Sequence, residues 1–185
     1  MVSGYVKEIY MRLFIAVEIP EEVREELENL VRVLKHKVSN VKWVEKENFH
    51  ITLRFIGEVQ EDKVQTIEGI IDEVSSNFYP FDIGLKGVGN FPYVIWVGID
   101  KGKDILGDIS YSIEGLLIKA GFPPTDKLFS PHITLGRVKK RIENFQGGDF
   151  GPLSFQSDSI TLMQSQLFPS GPVYTPLKVF PFKKI

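Results

Sequence analysis

The sequence predicts a mixed α and β chain folded as two similar strand–helix lobes packed together. Apolar spacing alternates along it between a period of two and a period near 3.6, the signatures of half-buried strands and amphipathic helices. The tetrapeptide His-Ile-Thr-Leu is spelled twice, once in each half. No stretch rich in Pro, Gly or Ser divides the chain into independent domains. Its 185 residues suffice for one domain with a sizeable apolar interior.

Residues 12–18 (RLFIAVE) open the pattern, with Leu13, Ile15 and Val17 on one face and Phe14 and Ala16 on the other. Met11 starts this strand, so residues 1–10 read as an N-terminal extension and 11–185 as a single two-lobed domain. Pro20 marks a helix start, and Val23, Leu27, Leu30, Val31 and Leu34 fall on one helical stripe. His36 lies off that stripe and reads as a solvated surface histidine. Strand patterns follow at 41–44 and 49–59, then a helix burying Val64, Ile67, Ile71, Val74 and Phe78.

The second half repeats this grammar. Residues 81–88 and 93–99 form a strand pair across the turn Gly89-Asn90-Phe91-Pro92. Residues 102–120 form a helix with Ile105, Ile109, Ile113, Leu116 and Leu117 inward, stopped at Gly121-Phe122-Pro123-Pro124. Residues 131–138 are another strand, and 159–167 with 173–182 form a hairpin around Pro169-Ser170-Gly171-Pro172.

Composition narrows the function classes. Hydrophobic residues make up 43% and charged residues 25%, ordinary for a soluble globular protein. The formal net charge of −2 provides no broad basic field, so any contact with nucleic acid must rest on a local patch. The absence of cysteine removes disulfides, thiolate nucleophiles and Cys-ligated zinc. No apolar run approaches the roughly 20 residues that cross a bilayer, and MVSGYVKEIY lacks the apolar core of a signal peptide. The expectation is a soluble cytoplasmic protein with no membrane partner.

The repeated word carries the chemistry. His50-Ile51-Thr52-Leu53 and His132-Ile133-Thr134-Leu135 each begin a strand. Successive side chains point to opposite faces, so each His shares a face with its Thr, and Ile with Leu. With the Ile/Leu faces packed under helices, two facing lobes bring two imidazoles and two hydroxyls to one cleft. That set suits phosphodiester chemistry. A neutral imidazole takes a proton from an attacking water or hydroxyl while an imidazolium protonates the leaving oxygen, and a pKa of about 6.5 suits histidine to both. Thr52 and Thr134 are expected to donate hydrogen bonds to the non-bridging oxygens. Arg54 shares the parity of His50 and Thr52 and is expected to add a cation. Arg137 has the wrong parity relative to His132 and reaches the cleft only if the strand bulges near Gly136. A structural repeat without chemistry is the plainer alternative, but two of only three histidines stand in the same four-letter context.

A metal site finds little support, because no His-Glu-x-x-His or clustered Asp/His spacing occurs. Gly87-Val88-Gly89 lacks the following helix that phosphate-cradling glycine loops need, and reads as turn chemistry.

With these motifs the chain resembles the two-histidine phosphoesterase superfamily, specifically its LigT-like branch of RNA 2',3'-cyclic phosphodiesterases, also called 2'-5' RNA ligases. RLFIAVEIP at 12–20, WVEKENFHITLRFIGEV at 43–59, VIWVGI at 94–99, FSPHITLGRV at 129–138 and LMQSQLFPSGPVYTPL at 162–177 carry the resemblance. It implies an α+β bilobal fold, two antiparallel β-sheets lining a central cleft with helices on the outside. It also implies hydrolysis of a 2',3'-cyclic phosphate to a 2'-phosphate with no metal or other cofactor. In that scheme His50 is the proton donor to the departing 3' oxygen and His132 the acceptor that activates water. The residues alone do not order the two, since the halves are pseudo-symmetric and the roles exchange when a step runs in reverse; a 5'-hydroxyl attacking the cyclic phosphate accounts for the ligase name. No adenylylation lysine motif is present, so ATP-driven ligation is not expected.

The implied partners are RNAs with 2',3'-cyclic phosphate ends, tRNA fragments among them, met by a monomer. Phe14 is expected to line the groove and stack a base, with plain packing between lobes as the alternative. Lys139, Lys140 and Arg141 follow the second motif and either meet flanking phosphates or form a solvated basic turn. Two other functions stand beside this one: an RNA-end binding module without turnover, and the same chemistry on ADP-ribose cyclic phosphate or a 2'-5' oligoadenylate.

Overall fold

The computed structural model describes residues 9–143, 145 and 147–184. In chain order these residues form β1 (Tyr10–Glu18), α1 (Glu21–Lys35), β2 (Val41–Trp43), β3 (His50–Gln60), α2 (Val64–Ser75), β4 (Phe81–Phe91) and β5 (Val94–Lys101). Then follow α3 (Lys103–Lys119), β6 (His132–Val138), β7 (Leu153–Ser157), β8 (Ser159–Phe168) and β9 (Gly171–Pro181). The extension expected at 1–10 lies outside the described residues as far as position 8, and Tyr10 already pairs with Gln60 in β1.

The strands pair antiparallel in the order β7-β4-β5-β6-β3-β1-β8-β9, with β2 added on β6. At the centre, β3 and β6 share one cross-strand pair, Ile51 with Ile133. The two antiparallel sheets implied by the resemblance are therefore two halves of one continuous sheet. These lobes do not coincide with the halves of the sequence. One holds β3, β1, β8 and β9, joining the two ends of the chain, and the other holds the middle strands β4 to β7 with β2. The helices cross over as well. α1 follows β1 yet packs against β7, and α3 follows β5 yet packs against β3 and α2.

Periodicity explains the helices. Val23, Leu27, Val31 and Leu34 are the buried stripe of α1, with Glu21 and Glu22 in its first turn and Arg32 and Lys35 in its last, complementing the helix dipole. His36 is exposed just past its end. In α3 the buried stripe is Leu106, Ile109, Ser110, Ile113 and Leu117, so Leu106 takes an inward place that spacing assigned to Ile105. One core of buried aliphatic and aromatic side chains runs beneath both lobes.

Three boundaries differ from expectation. The β4–β5 turn is Pro92-Tyr93, because β4 continues to Phe91, whose ring packs on Trp96 and His132. Phe78 lies beyond the end of α2, which stops at Ser75. β7 has no counterpart in the sequence reading. It is five residues long and stands as an edge strand held to Phe81–Leu85 of β4.

Candidate active site

Ile51 and Ile133 are fully buried cross-strand partners. Their neighbours in the chain therefore point the other way, and continuing the register sets His50 opposite Thr134 and Thr52 opposite His132. Directly opposed Cβ atoms lie about 5 Å apart and diagonal ones roughly 7 Å. Two imidazoles and two hydroxyls thus share a patch that one phosphate ester can span. Leu53 and Leu135 complete the buried side.

Backbone carbonyls two residues upstream orient both rings. Nδ1 of His50 is 2.7 Å from the Asn48 carbonyl oxygen, and Nδ1 of His132 is 2.7 Å from that of Ser130. A carbonyl only accepts, so Nδ1–H donates in both rings, and each neutral imidazole keeps its free lone pair on Nε2. Thr52 Oγ1 lies 2.8 Å from His50 Nε2, and its hydroxyl donates to that lone pair.

Electrostatics keep both rings neutral in the free protein. Burial carries His50 down to about 4, against the Asn48 carbonyl, and the charges of Arg24, His132 and Arg137 push the same way. His132 is lowered too, by burial first and then Arg137, with the Ser130 carbonyl opposing. Both lone pairs are therefore unprotonated before substrate binds, and a phosphate anion in the cleft favours the imidazolium of either.

Aromatic rings wall the histidines. Phe14 lies 4.9 Å from the His50 ring and 4.9 Å from Tyr174, and Tyr174 meets His50 edge-on at 5.2 Å. Phe91 meets His132 edge-on at 5.1 Å. The base-stacking role expected of Phe14 is corrected by its exposure of 1%. Covered by His50, Phe55 and Tyr174, it backs the histidine and offers no face to a base. Burial raises the Tyr174 phenol, opposed by the charges of Arg137 and Arg12. Tyr174, Phe55 and Phe91 escaped the sequence reading. The one signal for Tyr174 was its place in the C-terminal hairpin, whose register pairs it with Ser165.

The two arginines part company at matching bulges. In β3, Ala16 pairs with Thr52 but Ile15 with Arg54, so Leu53 is an extra residue and the parity count fails. Arg54 turns to α3, where Nε donates to Glu114 Oε2 at 2.5 Å, and its other nitrogens donate to the carbonyls of Phe55 and Pro123. The cation expected from it at the histidines is therefore spent on a structural contact. In β6, Trp96 pairs with Thr134 but Ile95 with Gly136, so Leu135 is the extra residue. This bulge, one residue before Gly136, meets the condition set for Arg137. Arg137 pairs with Val94, and its charge acts on His50, His132 and Tyr174. The fifth residue after each histidine is thus Phe55 in one half and Arg137 in the other.

Lys139, Lys140 and Arg141 are exposed just beyond β6. Among the described residues, no group of three or more His, Asp or Glu side chains is placed to hold a metal ion, and no helix is long and apolar enough to cross a membrane.

A family model described as LigT like Phosphoesterase matches the chain twice, over residues 17–96 and 97–174, one His-Ile-Thr-Leu in each. The chain is 40% identical over 182 residues to an Archaeoglobus fulgidus protein named RNA 2',3'-cyclic phosphodiesterase, covering 92% of this chain and 99% of that one. A Methanothermobacter thermautotrophicus protein of the same name is 33% identical over 184 residues, covering 92% and 98%. Among solved structures, TT0787 of Thermus thermophilus is similar with a TM-score of 0.82 at 28% identity, over 94% of this chain and 98% of that one. E. coli LigT in apo form is similar with a TM-score of 0.80 at 25% identity, over 96% and 100%.

Proposed function

This chain belongs to the LigT like phosphoesterase family, and on that premise we propose that it hydrolyses 2',3'-cyclic phosphate ends of RNA to 2'-phosphates, with His50 and His132 as acid and base. The observation that carries the reading is the interleaving of the two His–Thr pairs around Ile51 and Ile133, with each Nδ1 tied to a carbonyl so that each Nε2 is left to exchange the proton, that of His50 beside the Thr52 hydroxyl.

Water attacks phosphorus, the P–O3' bond breaks, and the products are a 2'-phosphomonoester and a free 3'-hydroxyl. His132 takes the proton from water. His50 becomes protonated when the anionic ester binds, and gives its proton to the 3' oxygen. Once Nε2 of His50 carries a proton, the Thr52 hydroxyl no longer donates to it and is free to donate to a non-bridging oxygen. Thr134 does so from the other strand, and Arg137 supplies the cation. Positioned acid–base groups of this kind contribute about 10²–10⁴-fold each. These residues account for every proton in the displacement, so no metal step is invoked. With a 5'-hydroxyl attacking in place of water, His132 takes the hydroxyl proton, His50 again protonates the departing 3' oxygen, and RNA ends join through a 2'-5' linkage; the two groups exchange roles only when that linkage is cleaved back to the cyclic phosphate.

Both motifs lie in one chain, which supports action as a monomer. Broken RNAs in the cytoplasm, tRNA fragments among them, are the substrates this reading assigns.

The test is incubation of an oligonucleotide bearing a 2',3'-cyclic phosphate with the protein in EDTA, followed by mass and phosphorus NMR. The expected product is the 2'-phosphomonoester. Tight binding with no product favours an RNA-end binding module instead, and a 3'-phosphomonoester contradicts departure of the 3' oxygen.

A further inference from the structure

The cleft face of the β4–β7 lobe carries a flat aromatic surface that the acid–base mechanism does not use. Trp96 in β5 pairs with Thr134 on one side and Gly89 on the other, and Gly98 pairs with His132. Its chain neighbours Ile95 and Val97 are fully buried, so Trp96 and Gly98 stand on the face that presents the histidines. The indole lies down along this face. A Cβ on Gly89 would come within 2.4 Å of Trp96 Cη2, and one on Gly98 within 3.2 Å of Cζ3. Only positions without side chains let the ring rest on the strands in this way. Phe91 closes one end, 5.5 Å from Trp96 and 5.1 Å from His132. The indole Nε1 is buried with no hydrogen-bond partner among the described residues, which is uncommon for a buried donor. In the other lobe the residue paired with Thr52 is Ala16, fully buried. Phe55, an exposed aromatic of that lobe, packs against Phe14, so among the described residues only the β4–β7 lobe carries a ring laid flat on glycines.

From this placement we infer that Trp96 is the stacking platform for the nucleobase of the nucleotide whose cyclic phosphate lies between His50 and His132. Gly89 and Gly98 are the residues that let it lie flat. The inference rests on the cyclic phosphodiesterase reading and adds the part of the substrate that the imidazoles do not touch. A platform on one side also makes the pseudo-symmetric cleft directional, since the base fixes which way round the ribose enters. Stacking uses the π-face that every base has, so all four bases are accepted.

Two esters separate the parts: a nucleoside 2',3'-cyclic phosphate, and methyl riboside 2,3-cyclic phosphate, which has the reacting group and no base. Trp96→Leu should raise KM for the nucleoside ester about 10- to 100-fold and change kcat by less than about threefold. On the base-free ester it should match the wild type, and Trp96→Phe should recover most of the loss. A second readout needs no turnover. The chain has 2 tryptophans, so in a Trp43→Phe background Trp96 is the sole emitter. A nucleoside 2'-phosphate should quench it saturably and ribose phosphate should not. Equal losses on both esters, or no quenching, overturn the inference. Turnover of neither ester by the wild type overturns the activity reading instead, leaving the quenching to decide the platform.

Discussion

His50 stands opposite Thr134 across the β3–β6 junction, and His132 opposite Thr52, because Ile51 and Ile133 are partners there. Each histidine therefore sits beside a threonine from the other strand as well as the one in its own motif. The single bridge at the centre of a nine-stranded sheet is what brings the two copies of the tetrapeptide onto one surface.

The buried neutral state of His50 predicts a stability signature. Its pKa is about 4 when folded and 6.5 as the ordinary value. A depressed folded pKa means that the unfolded chain binds the proton first as pH falls. The contribution is thus complete above pH 6.5 and is lost on the way down to pH 4. His50→Phe should lose about 2 kcal/mol less than the wild type between pH 7 and pH 4.5, measured by urea unfolding. Identical losses would show that burial does not disfavour the imidazolium.

Arg54 and Arg137 should separate cleanly. Arg54 and Glu114 are only 12% and 18% exposed, so Arg54→Met should cost about 2 kcal/mol of stability. Its kcat/KM should stay within about threefold of the wild type, because no charge at the phosphate is lost. Arg137→Ala should do the reverse, lowering kcat about 100-fold with little change in unfolding midpoint. Thermal melts and steady-state rates on the same preparations decide the matter, and a stable but inactive Arg54→Met contradicts it.

Tyr174 should act on the reaction only through His50. Its ring holds His50 edge-on at 5.2 Å and caps Phe14. Tyr174→Phe keeps that wall and should stay near wild-type kcat, whereas Tyr174→Ala should lower kcat about tenfold as the imidazole loses its orientation. A pH profile should show the His50 limb moved toward its ordinary value in Tyr174→Ala, since water reaches the ring. A loss in Tyr174→Phe as large as in Tyr174→Ala would mean that the hydroxyl, not the ring, matters.

Particular residues show how far the sequence could be read. His50, Thr52, His132 and Thr134 were legible because strand alternation needs only local order, and the bulge in each tetrapeptide falls at its last residue, Leu53 or Leu135, after the His–Thr pair. Arg54 was misread because Leu53 is an extra residue in β3, and bulges leave no mark in a parity count. Phe14 was given the right face and the wrong exposure, since Tyr174, from the far end of the chain, covers it. The lobes were expected to follow the sequence halves. They interleave instead, because β8 and β9 return to pair beside β1. Such long-range pairing is decided by packing rather than by local pattern.

The most direct measurement is kcat for His50→Ala, His132→Ala and the double variant on one 2',3'-cyclic phosphate ester. If both imidazoles serve the same displacement, each single change should lower kcat by about 10²–10⁴-fold, and the double change should add little to the larger of them. A single variant that keeps more than about a tenth of wild-type turnover contradicts the paired acid–base account.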